Sequence, residues 1–117
     1  MSGVKVDRSL GADIQVGRRG VRRPFGRFRI GDEELTVRSS PTRWIRARSA
    51  SREAVGEISV YERVEIRLPI PRRRRLDDLR FEDPGSPFFG VALMLPRRTQ
   101  IIEDLRARGY SVTDRRS

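Results

Sequence analysis

Apolar and charged residues alternate one for one along Val64-Glu65-Ile66-Arg67-Leu68, and again along Arg27-Phe28-Arg29-Ile30 and Leu35-Thr36-Val37-Arg38. Successive side chains of a strand point to opposite faces, so a two-residue period suits a half-buried strand. It does not suit a helix, whose apolar stripe recurs every three or four residues. The chain therefore reads as mainly β. Gly31-Asp32-Glu33 supplies a turn between the second and third runs, which makes them a hairpin. Ser39-Ser40-Pro41 breaks the pattern, Trp44-Ile45-Arg46 is a short strand, and Ser49-Ala50-Ser51 is a loop. Val55, Ile58 and Val60 lead into the Val64 run, which Pro69 and Pro71 end. Arg72 to Arg75 form a solvent-facing basic turn. Leu76, Leu79 and Phe81 begin another strand, Asp83-Pro84-Gly85 is a turn, and Phe88 to Leu95 is the most apolar strand, expected at the centre of a sheet.

The period changes near the C-terminus. Pro96 stands where a first helical residue would be. Ile101, Ile102 and Leu105 share one face of a helix, with Glu103, Asp104, Arg106 and Arg108 on the wet side, and Gly109 stands at the helix stop. Tyr110 and Val112 are expected to fold back onto the sheet. The predicted organisation is a flexible basic tail over residues 1–24, with at most a short strand near Ile14–Val16. A β domain over 25–112 follows, carrying a helix at about 97–108, and then a polar tail over 113–117. About six or seven antiparallel strands form a small barrel or sandwich closed by the helix.

Length and composition bound the function. The chain has 117 residues, enough for one domain that buries roughly two-thirds of its unfolded surface. It has no cysteine and no histidine. Thiolate nucleophiles, zinc–thiolate sites and Ser-His-Asp triads cannot be built from it. No cofactor or metal is expected. The paired acids Glu33-Glu34, Asp77-Asp78 and Glu103-Asp104 are neighbours in sequence, so their side chains splay apart on strand or helix and do not converge on a metal or substrate. The longest apolar run, Phe88 to Leu95, is far short of the ~20 residues of a membrane span. Met1 to Leu10 lacks a signal-peptide core, and a cytoplasmic protein is expected.

Net charge is +10, and of the 26 basic residues only Lys5 is not arginine. Such Arg usage fits a GC-rich genome as well as selection for binding anions. Eight basic residues stand against Asp7 and Asp13 over positions 1–30.

Three stretches, GRFRIGDEELTVRSS, REAVGEISVYERVEIRL and FFGVALMLPRRTQIIEDLRARGY, together resemble the pleckstrin-homology-like plan of antiparallel strands closed by a C-terminal helix. They are similar to small, functionally uncharacterised actinobacterial proteins of that fold. The resemblance implies a scaffold that binds proteins, peptides or anionic lipid head groups without catalysis. Lipid-binding members carry basic residues in the first hairpin loop. Here that loop is Gly31-Asp32-Glu33-Glu34, which is acidic.

Candidate binding residues fall into four groups. Arg18, Arg19, Arg22, Arg23, Arg27 and Arg29 interleave with Phe25 and Phe28, as a segment gripping phosphates and stacking on bases would. A solvated tail whose Phe residues enter the core is the simpler reading of the same residues. Arg72, Arg73, Arg74 and Arg75 would clamp phosphate from a turn, with Asp77 and Asp78 close by to neutralise them. Arg97 and Arg98, in the first helical turn, would add guanidinium groups to free amides as an anion pocket. Trp44, Phe88 and Phe89 are candidate partner contacts, each also explicable as packing. The leading expectation is a non-catalytic interaction or adaptor module for a protein or peptide, docked at the sheet edge near Trp44 or in the groove beside the helix. The alternative is a nucleic-acid-binding protein using the Arg-rich N-terminal segment. Anionic lipid ranks behind both.

Overall fold

The computed structural model describes residues 6–23, 25–39, 45–70, 72–97 and 100–116, with the backbone alone at position 67. Its elements are β1 (Arg8–Gly11), β2 (Asp13–Val16), β3 (Arg19–Val21), β4 (Gly26–Ile30), β5 (Glu34–Ser39), β6 (Arg48–Ser51), α1 (Arg52–Val55), β7 (Ile58–Arg67), β8 (Arg72–Phe81), β9 (Val91–Pro96), α2 (Ile101–Ala107) and β10 (Val112–Asp114). The chain is mainly β. One sheet has the order β1-β4-β5-β6, the other β10-β7-β8-β9-β2-β3. Every pair is antiparallel except β10 with β7. Each sheet keeps two free edges among the described residues, so the strands do not close into a barrel.

The hairpin read from alternation is present as β4 and β5, with Phe28 opposite Val37 and Ile30 opposite Leu35. All four are fully buried. They share one core with Ile14, Val60, Leu79 and Leu93 of the six-stranded sheet and with Ile101, Ile102 and Leu105 of α2. Phe88 fills the same core and packs edge-on against Phe81, ring centroids 5.1 Å apart. As expected, Tyr110 folds back into the core, where its hydroxyl donates to the Gly31 carbonyl at 2.8 Å. Gly109 stops the helix at φ 91°.

The segment expected to be a flexible tail is different. Residues 8–21 form three strands. Leu10, Ala12, Ile14 and Val16 keep a two-residue period, and Ala12 and Ile14 are buried. β1 completes one sheet beside β4 and β2 joins the other beside β9. Ala12 makes the crossing, its amide donating to the Gly26 carbonyl at 3.0 Å. The crossing also explains Gly26, where a Cβ would lie 2.1 Å from the Ala12 carbonyl oxygen. The two-residue turn to β3 begins at Gly17, with φ 60°, the left-handed conformation that short hairpins favour.

Six further expectations change. Ser49-Ala50-Ser51 is not a loop but part of β6, and Ser51 caps α1 by accepting from the Ala54 amide at 3.2 Å. Ile45 is buried without belonging to a strand. Arg72 to Arg75 are not a turn, because β8 begins with them. Pro96 ends β9 rather than starting the helix, which begins only at Ile101 after Gln100, a residue with φ 53°. Arg108, placed on the wet face, is buried. Its guanidinium reaches Asp104, Asp32 and the Val6 carbonyl at 3.2, 3.1 and 2.8 Å. Nor is residue 113 onward a free tail. Val112–Asp114 pair with β7, and the Arg115 amide donates to the Val60 carbonyl at 2.8 Å.

Candidate interaction surfaces

β7 and β8 are each ten residues long, longer than anything beside them. β10 flanks β7 only from Ile58 to Val60, and β9 flanks β8 only as far as Leu76 opposite Pro96. Beyond the Arg63–Leu76 pair the hairpin has no neighbouring strand on either side among the described residues. Its last four pairs, Val64–Arg75, Glu65–Arg74, Ile66–Arg73 and Arg67–Arg72, carry a two-stranded ribbon ~14 Å further at ~3.4 Å per residue. Leu68, Pro69 and Ile70 stand at the tip. The molecule measures 50 × 31 × 28 Å.

Pairing sets the faces of this arm. Val60 and Leu79 are opposite one another and buried in the core. Two and four residues on, Glu62 faces Asp77 and Val64 faces Arg75. The apolar face of β7 therefore runs out of the core onto the arm. Val64, Ile66, Leu68 and Ile70 are 52 %, 60 %, 81 % and 68 % exposed. The half-buried strand expected over Val64–Leu68 is thus wrong in one respect: the period places these side chains on one face, but nothing among the described residues covers it. A signal was available. The partner strand opens with four Arg, which cannot line a core, so the residues opposite them cannot be in one either.

Arg72, Arg73 and Arg74 make no ion pair or side-chain hydrogen bond among the described residues. Arg75 lies 3.5 Å from Glu62, and Arg63 3.6 Å from Asp78. At the root of the arm Glu62 also accepts from Arg97 at 2.8 Å. Arg97 precedes the helix rather than opening it, and Arg98 lies outside the described residues. The expected anion pocket at the helix start is therefore not formed by Arg97.

Asp77 sits at the same root, fully buried. Its Oδ1 accepts from Arg116 at 3.3 Å, while Oδ2 has no hydrogen-bond partner among the described residues. Burial raises its pKa, opposed by the Arg116 and Arg97 charges. Asp78 falls on the opposite face and is held by Arg80 through two bonds of 2.9 and 3.0 Å. Hydrogen bonds from Arg116 hold Asp114 down at about 2.

The Arg-rich segment is largely built into the fold. Arg23 binds Asp13 at 3.2 Å and approaches Glu65 of the arm at 3.9 Å. Arg27 donates to Ser9 at 3.0 Å, and Arg29 reaches Asp7 at 3.3 Å. Phe28 is core and Phe25 is half-exposed. Arg18, Arg19 and Arg22 face solvent. Of the predicted partner contacts, Phe88 is buried, Phe89 is 55 % exposed, and Trp44 lies outside the described residues.

Three concavities mark the surface. One of about 700 Å³ separates the arm from β2 and β3, with Gln15, Val21 and Arg22 on one wall and Val64, Ile66 and Leu68 of the arm on the other. One of about 610 Å³ runs beside Phe89 and carries Tyr61, Asp78, Arg80 and Glu82. The third, about 620 Å³, is dominated by Asp7, Asp32, Glu33, Glu34 and Glu53 and includes the first hairpin loop. No group of three or more carboxylates able to hold a metal occurs among the described residues, and no helix of theirs is long and apolar enough to cross a membrane. Comparison with family models, with curated proteins and with solved structures finds no match to this chain.

Proposed function

We propose that this chain is a non-catalytic interaction module, an adaptor on a pleckstrin-homology-like scaffold that docks a protein or peptide. The order of elements supports that scaffold: a hairpin near the start, a longer hairpin in the middle and a helix packed on the core near the end. The observation that carries the functional reading is the placement of the large apolar side chains that stay in solvent. Of seven among the described residues, four lie on the arm and a fifth is Phe89. Grouped apolar exposure marks contact surfaces, whereas scattered single residues do not.

Phe89 suits a peptide partner. An aromatic anchor stands beside a concavity whose Tyr61, Arg80 and Glu82 offer donors and acceptors along the rim, the anatomy of a binding hot spot. A photo-crosslinking phenylalanine analogue at position 89, compared with one at Glu103 on the exposed helix face, tests this. A discrete adduct at 89 and none at 103 is expected, and Phe89→Ala should weaken binding of the protein so identified about tenfold. Identical adducts at both positions would remove the support for this reading.

A second reading, nucleic-acid binding, rests on Arg18 and Arg22, which have no ion partner among the described residues. The engagement of Arg23, Arg27 and Arg29 within the chain leaves less than a continuous six-Arg grip. Anisotropy titrations of duplex DNA and single-stranded RNA over a salt series decide it. Affinity that survives near-physiological salt and falls with Arg18→Ala plus Arg22→Ala would favour it; binding lost with modest salt would discard it.

A further inference from the structure

We propose that the β7–β8 arm docks the protein onto a bilayer containing anionic lipid, with the arm tip in the membrane interface. This goes beyond the adaptor reading and does not depend on it.

The arm is ordered by depth. Leu68 and Ile70 lead at the tip, Ile66 and Val64 follow, and exposure is greatest at the tip and least at Val64. Behind and beside the aliphatic side chains stand Arg72, Arg73, Arg74 and Arg75. Ile66 is directly opposite Arg73 and Val64 opposite Arg75 on the same face. An Arg stem lies along apolar surface while its guanidinium reaches toward charge. Aliphatic side chains buried ~5–10 Å into the headgroup boundary, beneath a collar of guanidinium groups at phosphate level, satisfy both sets of residues at once. Positions 63–75 hold six Arg against Glu65 alone, so the arm complements an anionic surface.

Other occupants fit less well. Nucleic-acid phosphates would engage the Arg residues but leave the aliphatic stripe without a partner. Single-stranded bases would stack on guanidinium planes, since positions 63–75 contain no aromatic residue, and that too would leave the aliphatic stripe uncovered. A kinked duplex admits a side chain or two between base steps, not four spread along a ribbon. The first hairpin loop is no substitute, since it lies among Asp7, Asp32, Glu33, Glu34 and Glu53 and would be repelled by anionic lipid.

The test is sedimentation of the full chain with phosphatidylcholine vesicles, with and without phosphatidylserine. Binding is expected only with phosphatidylserine. Leu68→Asp combined with Ile70→Asp should abolish it. Arg72→Ala, Arg73→Ala and Arg74→Ala combined should weaken it about a hundredfold, since each basic group near such a surface contributes roughly fivefold. Arg18→Ala, Arg22→Ala and Arg38→Ala remove equal charge elsewhere and should weaken it only a few-fold. Equal losses from the two triple variants would mean attraction by net charge alone and would overturn the proposal. The chain has no cysteine, so Ile70→Cys accepts a single environment-sensitive dye. Its emission should shift to the blue with anionic vesicles, and a dye at Glu103→Cys should not respond. If duplex DNA shifts the position-70 dye and vesicles do not, the partner is a nucleic acid and the proposal fails. It fails also if neither shifts it, which would leave the Phe89 reading standing.

Discussion

The two halves of the β7–β8 hairpin follow the same alternation and have opposite fates. In the lower half Ile58 and Val60 pair with Phe81 and Leu79, and all four are buried. In the upper half Val64 and Ile66 continue the same face and stand in solvent. The difference lies in the neighbours. β9 and β10 flank the lower half, whose buried side chains join the core, and the upper half extends past the end of both. Side-chain period assigns a residue to a face; only the rest of the chain decides whether that face is covered.

Substitutions should separate the halves sharply. Leu79→Ala opens a cavity under a fully buried residue and should cost about 2–5 kcal/mol in urea unfolding. A loss below about 1 kcal/mol would mean that the lower half is not core. Gly26→Ala tests the crossing that brings β1 and β2 to different sheets. Its Cβ would meet the Ala12 carbonyl oxygen, and destabilisation of about 1–3 kcal/mol or more is expected. An unchanged melting temperature would show that the crossing adapts freely.

The boundary between the halves should respond to pH. Burial raises the folded-state pKa of Asp77 above the ordinary 3.8. The folded state therefore holds this proton more tightly than the unfolded chain. The resulting stability is fully present below about 3.8 and is lost as pH rises through the raised value. Asp77→Asn removes that dependence, so the variant should gain on the native chain between acidic and neutral pH in paired unfolding curves. A difference constant with pH would show that Arg116 compensates the buried charge completely. The smallest effect belongs to the arm. Ile66→Thr should change stability by no more than about 0.5 kcal/mol, and a larger loss would reveal a covered face.

Local patterns were legible where they report on the backbone alone. Phe28, Ile30, Leu35 and Val37 announce a hairpin because period and turn residues agree. Gly109 announces a helix end because its positive φ suits glycine. The strands at 8–21 were largely hidden, since five glycines and eight basic residues within the first thirty positions obscured the Leu10-to-Val16 alternation. Arg108 looked like a wet helix residue because its partners, Asp32 and the Val6 carbonyl, lie far away in sequence. Pro96 was equally ambiguous, since proline is acceptable both at a strand end and at a first helical turn.

The strand expected from Phe88 begins only at Val91; Phe88 and Phe89 lie in the turn before it, where no two-residue period applies, so their order does not say which one enters the core. The arm's basic residues stand out in the sequence, but their place in a strand does not. Four consecutive Arg read as a turn, since strands seldom open that way without a core to face.

Residue types, their period and the absence of cysteine and histidine were enough to define a mainly β chain with a C-terminal helix and without thiol or imidazole chemistry. These are local properties, carried by side-chain alternation, turn preferences and functional-group inventory. Which alternating stripe is buried, which Arg is paired and which hairpin outruns its sheet depend on strands distant in sequence coming to lie side by side. Burial and charge pairing are relations between segments, and those relations exist only once the chain has folded.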